Sequence, residues 1–238
     1  MTALPPHLVP ASQLRLICFP SVCVALDVET GALLLLSGEA ARLISHLERA
    51  GGATSVLSSS ARERAVAALV NSGVLVGGEE SEAWDRVRPG IPSSSSWGTR
   101  ESPAALAPIP RSSPRWYALG ACALLLVLGG GVLGRTRAFA RTRRLVGRTA
   151  MGPPEPAAAE AAAYAVRRIG RLLPLRVACW EEAAATTVAL HRAGYQAVFR
   201  HGAATDPVRL HAWVEVGGRP VAEADDITDY TSFEESCE

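Results

Sequence analysis

The first third of the chain contains short apolar runs typical of strands, followed by longer stretches with helical spacing. Three strands and then three helices are predicted, and turn residues such as Pro20 separate the strands. The predicted strands cover 14–18, 22–28 and 32–36, and the predicted helices cover 37–50, 54–58 and 61–71. Ser37 has the side chain of a helix N-cap, and Gly51-Gly52 ends the first helix. This order predicts a small α+β unit.

Composition changes between residues 77 and 114, where six prolines and eight serines occur and no apolar period is sustained. Proline and serine at this density favour a flexible linker over a packed element. We therefore predict an N-terminal unit over 1–80, a linker over 81–114 and a C-terminal unit over 115–238.

An uncharged stretch of seventeen residues, 118–134, lies near the start of the C-terminal unit, and six arginines follow it between Arg135 and Arg148. An apolar segment with a basic flank has two interpretations, a contact with a membrane or a buried helix. The stretch is at the short end of the roughly 20 residues that a span needs, and three consecutive glycines weaken a helix. We favour a buried or interfacial helix and keep membrane contact through 118–134 as the alternative.

A thiol and an imidazole lie at the edges of predicted elements in the C-terminal unit. Helical spacing over 180–193 predicts a helix that Gly194 ends, and Cys179 stands where that helix starts. The alternating run 211–216 predicts a strand that carries His211. Unpaired N–H groups and the positive end of the dipole at a helix start favour a thiolate. The pair therefore predicts a nucleophile with an imidazolium partner.

The other four histidines fit the role of the base less well. His191 lies twelve residues from Cys179 along the same helix, which is roughly 18 Å and beyond hydrogen-bond reach. His7 and His46 belong to the N-terminal unit, and His201 is interpreted as a solvated loop or rim residue. The alternative to a reactive Cys179 is a small buried cysteine that only packs.

Composition and charge narrow the chemistry further. The 238 residues are 48% hydrophobic and carry a net charge of +1, which is typical of a globular protein and does not indicate nucleic-acid binding. All 24 basic residues are arginine, which excludes lysine Schiff-base chemistry. The five cysteines are scattered, so neither a disulfide framework nor a zinc site is predicted, and no metal or cofactor is expected. Scattered cysteines and an N-terminus without a secretory pattern favour a cytoplasmic protein.

Residues 178–223 resemble the transglutaminase-like cysteine peptidases of lasso-peptide biosynthesis. The matching residues are Ala178-Cys179-Trp180, then 193–198, then 211–221. The resemblance implies an α+β fold of the transglutaminase and papain type, with catalysis by Cys179, His211 and an acid soon after the last segment. That acid is commonly an aspartate in the family, and Glu223 stands at the matching position here.

Strand alternation bears on which acid meets the histidine. A plain two-residue turn in the hairpin would pair residue 211 with residue 224 and place Glu223 on the opposite face of the sheet. A loop of odd length, or a bulge, would return Glu223 or Asp225 to the face of the histidine. We predict the odd register, with Glu223 as the first choice, Asp225 as the second and Asp226 as the third. The alternative is an acidic cluster that only solvates a strand end.

The N-terminal unit resembles the PqqD-like winged-helix domain that recognises leader peptides of ribosomally made, modified peptides. The likeness is carried by residues 31–37, 39–42 and 69–75. An edge strand has unpaired backbone groups that an extended peptide satisfies, so 32–36 and 61–71 are predicted to form a peptide groove. The predicted peptide-binding side chains are Leu33, Leu34, Leu35, Ala65 and Leu69. Alternation also predicts that at least half of the leucine run packs in the core. DNA binding through Arg62 and Arg64 is the alternative.

Together, the two resemblances imply a leader peptidase of lasso-peptide biosynthesis. The protein would bind the leader segment of a precursor peptide and cleave it by Cys-His-acid catalysis. Cleavage would free the core N-terminus for macrolactam formation by an asparagine-synthetase-like cyclase. Two alternatives stay open, a transglutaminase-type acyl transferase and a non-catalytic leader-binding scaffold. The expected location is the cytoplasm, with membrane association through 118–134 as the alternative.

Overall fold

The computed structural model contains two packed units, one on each side of the segment 92–108. The residues that it describes are 5–56, 60–78, 81–91, 109–130, 134–147, 152–205, 208–223 and 227–234. The protein is a mixed α+β protein, strand-rich in the first unit and built from helices and one sheet in the second. Each unit has its own cluster of buried apolar side chains and therefore its own hydrophobic core.

The N-terminal unit is built on a four-stranded sheet in the order β4-β3-β2-β6. Its elements are β1 (Leu8–Pro10), β2 (Leu14–Cys18), β3 (Val22–Asp27), β4 (Leu33–Ser37), α1 (Glu39–Arg49), α2 (Ser60–Asn71), β5 (Leu75–Gly77) and β6 (Val87–Pro89). Strands β2, β3 and β4 are antiparallel, β6 runs parallel to β2, and β1 pairs with β5 separately. The three strands predicted from the apolar runs are present, each within one residue of its predicted bounds.

The N-terminal unit departs from the predicted three strands and three helices. The predicted short second helix is present as a 3-10 helix, Thr54–Val56, and residues 57–59 lie outside the described residues. Strands β1, β5 and β6 are additional, so the unit is strand-rich and not clearly a winged helix. Ser37 pairs with Val22 as the last residue of β4. Gly38 then precedes α1 without a side-chain cap, so the predicted N-cap at Ser37 is wrong. Pairing with β3 extends β4 by one residue, to Ser37, so Ser37 is part of the strand and does not cap the helix.

Residues 81–91, which composition assigns to a linker, are folded against the N-terminal sheet. Ser81–Arg86 is a 3-10 helix, and β6 extends the sheet beside β2. Trp84 and Val87 are buried in the N-terminal core. Burial of these two side chains stabilises a segment whose average composition is that of a linker. The part of the predicted linker between 92 and 108 lies outside the described residues.

A disulfide joins Cys18 and Cys23 across the β2–β3 hairpin. The two residues are directly opposite in the strand register, which brings their side chains together. The expectation that the cysteines stay unpaired is wrong for these two, because the pairing depends on strand register. Cysteine usage therefore no longer supports a reducing compartment. Cys122 and Cys179 are free thiols, and Cys237 lies outside the described residues.

The C-terminal unit packs helices against an antiparallel sheet in the order β10-β7-β8-β9. Its elements are α3 (Pro114–Leu128), α4 (Arg135–Val146), α5 (Pro156–Gly170), α6 (Cys179–Ala193), β7 (Val198–Ala204), β8 (Arg209–Val216), β9 (Arg219–Pro220) and β10 (Thr231–Ser232). Helix α6 contacts α3, α5 and the sheet, and all of its residues from 183 to 190 are buried. Small alanine side chains there allow close packing, which fixes where the first turn of α6 lies.

The apolar stretch after residue 117 lies largely in α3, inside the C-terminal core. Ala123, Leu124 and Val127 are buried, and Gly120 lies against Val166 of α5, where an added Cβ would be 3.2 Å from a methyl group. This packing agrees with the buried-helix interpretation of the segment. Among the residues with described structure, no helix is both long and apolar enough to cross a membrane.

The two units contact each other through the second face of the N-terminal sheet. Alternate residues of β2 and β3 pack on α1, while those between them join a cluster shared with the C-terminal unit. That cluster contains Ile17, Phe19, Val24, Leu26, Ala203 and Phe233. Nη1 of Arg143 donates to the carbonyl of Val28 at 2.7 Å, and the N–H of Ile91 donates to Oγ1 of Thr231 at 2.9 Å. The sheet is therefore anchored on the C-terminal unit, and β4 forms its open edge within the described ranges.

Candidate active site

The first turn of α6 carries the thiol of Cys179. Ala178 before it is extended, with φ −91° and ψ 172°, and the helix begins at Cys179 itself, one residue earlier than predicted. The N–H of Ala178 donates to Oε2 of Glu181 at 3.0 Å, which fixes the entry of the chain into the helix. The N–H of Trp180, the next residue, helps to lower the pKa of the Cys179 thiol. The half-buried sulfur therefore lies at the positive end of the helix dipole.

Strand β8 brings the imidazole of His211 to this helix start. The ring hydrogen bonds to the sulfur of Cys179, and Nε2 lies 2.8 Å from Oε2 of Glu223. Because the carboxylate engages Nε2, Nδ1 is the nitrogen that remains for the sulfur. The thiol, the imidazole and the carboxylate thus form one hydrogen-bonded line, with the histidine in the middle.

The hairpin between β8 and β9 has the plain two-residue turn, so the predicted odd register is wrong there. Glu215 pairs with Pro220 and Val216 pairs with Arg219. Gly217 and Gly218 have φ of 59° and 72°, which a right-twisted two-residue turn requires of both central residues. If this pairing continued, Glu223 would lie on the face of the sheet opposite His211.

Glu223 reaches His211 because the chain leaves the hairpin just before it. The N–H of Val221 still donates to the carbonyl of Val214 at 3.0 Å. Ala222 then has φ 55°, and it is the one non-glycine with positive φ among the described residues. A residue in this conformation breaks the alternation as a bulge does and turns the next side chain to the other face. The structure places the first-choice acid beside the histidine, while Asp225 and Asp226 lie outside the described residues.

Burial and hydrogen bonding act in opposite directions on the thiol and the imidazole. Burial raises the pKa of the Cys179 thiol, but hydrogen bonds from His211 and from the N–H of Ala212, together with the charge of His211, lower it below its ordinary value of 9.0. Burial lowers the pKa of His211, but hydrogen bonds to Cys179 and Glu223 and their negative charges raise it to about 9. Both shifts favour a thiolate-imidazolium pair.

An arginine that the sequence analysis missed, Arg167 on α5, holds the acid from the side away from the histidine. Its Nη2 donates to Oε1 of Glu223 at 3.3 Å, and its Nη1 donates to the carbonyl of Ala222. Its Nε donates to Oε2 of Glu182 at 3.3 Å. No feature of the α5 sequence separates Arg167 from its neighbour Arg168, so only packing identifies it.

Glu182 is the second charged residue that the sequence analysis missed. It lies three residues after Cys179 on α6, a spacing that puts both on one side of the helix and that was available from the sequence. Burial raises the pKa of the Glu182 carboxyl, the charge of Arg167 opposes this, and the charge of Glu223 adds to it. The pKa of Glu182 therefore lies above its ordinary value.

The hydrogen-bonded line of Cys179, His211 and Glu223 borders a small cavity of about 40 Å³ in the C-terminal unit. Its chemically active lining residues are Cys179, His211, Glu223, Arg167 and Glu182. A larger open cavity of about 550 Å³ lies beside α1, where Arg42, Arg49 and Arg62 are among the lining residues. The smaller cavity is the candidate active site, because it alone of the two has a thiol nucleophile and a base in hydrogen-bond contact.

The remaining histidines have other surroundings. Nε2 of His191 lies 2.9 Å from the carbonyl oxygen of Ala197. His201 is buried rather than solvated, which corrects the loop interpretation, and its Nδ1 lies 2.9 Å from Oε1 of Glu234 without the alignment of a hydrogen bond. His46 lines the larger cavity on the N-terminal unit. Only His211 contacts the Cys179 sulfur among the described histidines.

The residues predicted to bind peptide divide into an exposed and a buried set. Leu33, Leu34 and Leu35 on β4 are 43%, 43% and 60% exposed, and only Leu36 of the run 33–36 packs on the core. The expectation that at least half of this run packs in the core is therefore wrong. Ala65 is half-buried, and Leu69 is 5% exposed within the N-terminal core, so Leu69 offers no surface to a peptide. The leucines are exposed because β4 is an edge strand whose side chains extend beyond the cover that α1 and α2 provide.

A thiol at a helix start, hydrogen bonded to an imidazole that meets a carboxylate, defines the class of cysteine peptidases and thiol acyltransferases. Residues 123–235 match the family model of the Transglutaminase-like superfamily, so this part of the chain is a transglutaminase-like domain. The matched range contains Cys179, His211 and Glu223. No curated protein and no solved structure matches the chain significantly. The match supports the superfamily of papain-like cysteine peptidases and acyltransferases, and it leaves the activity and the substrate open.

Proposed function

We propose that the protein is a cysteine peptidase that removes the leader from a lasso-peptide precursor. The observation that carries the proposal is the hydrogen-bonded line of Cys179, His211 and Glu223 at the start of α6. This line supplies a nucleophile, a proton carrier and an orienting charge without a metal. The resemblance of residues 178–223 to the lasso-peptide peptidases supplies the substrate class.

The proposed reaction begins with the thiolate of Cys179 attacking the carbonyl carbon of the last leader residue. The carbonyl oxygen becomes an oxyanion and accepts hydrogen bonds from N–H groups at the start of α6. His211 donates its proton to the departing amine of the core, which leaves the leader as a thioester on the sulfur. His211 then takes a proton from water, and the water releases the leader as a free carboxylate. Glu223 keeps the ring oriented and stabilises its charged form.

In this proposal the leader binds as an added strand at the edge of β4. The N–H of Asp27 donates to the carbonyl of Ala32, which makes these two a hydrogen-bonded pair. Pairs alternate along antiparallel strands, so Leu34 and Leu36 bond to β3, while the backbone groups of Leu33 and Leu35 point to the open edge. An extended peptide would satisfy these outward groups and contact the exposed leucine side chains.

Leu35→Pro is expected to weaken leader binding about 10-fold or more, because it removes an outward N–H that the added strand would use. The sheet itself should survive, since proline is tolerated on an edge strand where its nitrogen faces outward. Leu35→Ala, the matched control, removes the side chain and keeps the N–H, so it should weaken binding less. Fluorescence anisotropy with a labelled leader peptide measures both. Equal affinities for Leu35→Pro and wild type would exclude strand addition at this edge.

The proposed partner downstream of cleavage is an asparagine-synthetase-like cyclase, which would use the freed core amine to close a macrolactam. Because the leader-binding unit is anchored on the peptidase unit, one chain would hold the leader and cut it. Tethering raises the effective substrate concentration to roughly the millimolar range, so a weakly selective cleft suffices. We propose the cytoplasm as the location, since the precursor is made there.

Acyl transfer to an amine is the second candidate function, because the transglutaminase-like match covers acyltransferases as well as peptidases. Mass spectrometry of a precursor incubated with wild-type protein separates the two. Hydrolysis should give a leader with a free carboxylate and an intact core, whereas transfer should give a leader amide when an amine such as glycinamide is present. Neither product, with the precursor still bound, would identify a scaffold without turnover and would overturn the proposal.

A further inference from the structure

We propose that Arg167 is a positioning residue that holds Glu223 on the His211 face of the sheet. The inference depends on the proposed thiol chemistry and does not depend on the identity of the peptide substrate. It concerns a residue on α5, outside the segments from which the thiol, the imidazole and the acid come.

The contacts of Arg167 fall at the point where the chain leaves the hairpin. Its Nη1 donates to the carbonyl of Ala222, the residue with φ 55°, and its Nη2 donates to Oε1 of Glu223. The other oxygen of that carboxylate, Oε2, faces His211. The guanidinium therefore holds both the strained backbone and the far oxygen of the acid, which leaves Glu223 one orientation toward the ring.

The charge of Arg167 is also needed, because it separates two carboxylates. It lies between two carboxylates, Glu182 and Glu223, whose side chains are only 28% and 11% exposed. Without the arginine, two partly buried negative charges would repel each other, and the carboxylate of Glu223 would be pushed out of its orientation toward the ring. A displaced carboxylate would no longer stabilise the imidazolium of His211.

Lysine cannot replace this arginine fully. The three nitrogens of Arg167 point to three different acceptors, Glu182, Ala222 and Glu223, in the planar fork that only a guanidinium has. A lysine ammonium would supply the charge but not the three directions. Arg167→Lys is therefore expected to retain part of the function.

The test measures alkylation of Cys179 by iodoacetamide across pH, with modification read at the Cys179 peptide by mass spectrometry. Wild type should react with a midpoint below the ordinary thiol value of 9.0. Arg167→Met should raise that midpoint by about one pH unit, which slows alkylation about 10-fold at pH 7, and Arg167→Lys should fall between. Arg168→Met is the matched control, since Arg168 lies on the same helix and donates instead to the carbonyl of Ile109 at 3.2 Å.

A double-mutant cycle separates positioning from general stability. If Arg167 acts through Glu223, adding Arg167→Met to Glu223→Gln should cause no further rise of the midpoint. An additive rise would overturn the proposal. So would a wild-type midpoint in Arg167→Met, because the positioning contact would then have no effect on the thiol.

Two further measurements keep the test decisive. Circular dichroism checks the fold of each variant. If Arg167→Met alone unfolds the protein, the double variant Arg167→Met with Glu182→Gln replaces it in the alkylation test. The double variant removes one partly buried charge of each sign, so it leaves no unpaired charge at this place. A wild-type midpoint in that double variant also overturns the proposal. An ordinary thiol midpoint in the wild-type protein would instead contradict the nucleophile, and with it the proposed function.

Discussion

Cys179→Ala is expected to abolish leader cleavage, lowering kcat/KM by about 10⁶-fold to the background rate. The physical reason is that the attacking group is the thiolate of Cys179, and no other described residue that lines the cavity has a thiol. Binding of the leader should be unchanged, because the β4 edge belongs to the other unit. Mass spectrometry of cleavage products and anisotropy with a labelled leader measure the two properties separately.

Cys122→Ala is the matched control for this prediction. Cys122 is also a free thiol, but it is exposed on α3, where its sulfur accepts a hydrogen bond from Nη1 of Arg192 at 3.0 Å. Cleavage by Cys122→Ala should proceed at the wild-type rate. Cleavage that persists in Cys179→Ala and stops in Cys122→Ala would place the nucleophile elsewhere and contradict the proposed mechanism.

Glu223→Gln is expected to lower kcat/KM by about 10²- to 10⁴-fold, since an amide keeps the size of the side chain but not its charge. The loss of kcat/KM should be larger at higher pH. In the wild type, Glu223 helps to raise the pKa of His211 to about 9, so the imidazolium persists up to that pH. Without the carboxylate, the pKa of His211 falls toward its ordinary value of 6.5. The alkaline limb of the pH-rate profile should therefore move from about 9 toward lower pH.

Two variants make the result on Glu223 specific. Glu223→Asp keeps the charge but is shorter by one methylene, so its activity should lie between that of the glutamine variant and the wild type. Glu160→Gln removes an exposed carboxylate from α5 and should leave the pH-rate profile unchanged. Identical alkaline limbs in Glu223→Gln and wild type would remove Glu223 from the proposed catalytic mechanism.

The thiol and the imidazole of the hydrogen-bonded line were accessible from the sequence for local reasons. A helix start is marked by a change of spacing near Cys179, and a strand is marked by the alternation that contains His211. The choice of Glu223 came from the family resemblance, but the register predicted to support it was wrong. A two-residue turn formed, and the positive φ of Ala222 reversed the face instead. A single alanine gives no warning of that conformation, because φ there is set by packing and by the contact with Arg167.

Charged groups that come from distant elements were not accessible in the same way. Arg167 and Glu223 are 56 residues apart, and they meet because α5 packs beside α6 and the end of the hairpin. The disulfide between Cys18 and Cys23 likewise depends on the β2–β3 register. Strands β2, β3 and β4 were predicted well, since each is a local run, whereas β1, β5 and β6 were not predicted. Strand β6 was hidden in a segment with the composition of a linker.

The sequence by itself determined the helices and strands with a strong local period, the thiol at a helix start and the histidine on a strand, because these follow from spacing within about ten residues. Tertiary structure alone decided which acid faces the ring, which arginine holds it, and which face of the N-terminal sheet is covered. Those outcomes depend on the packing of segments far apart in the chain, and local period carries no information about which of them meet.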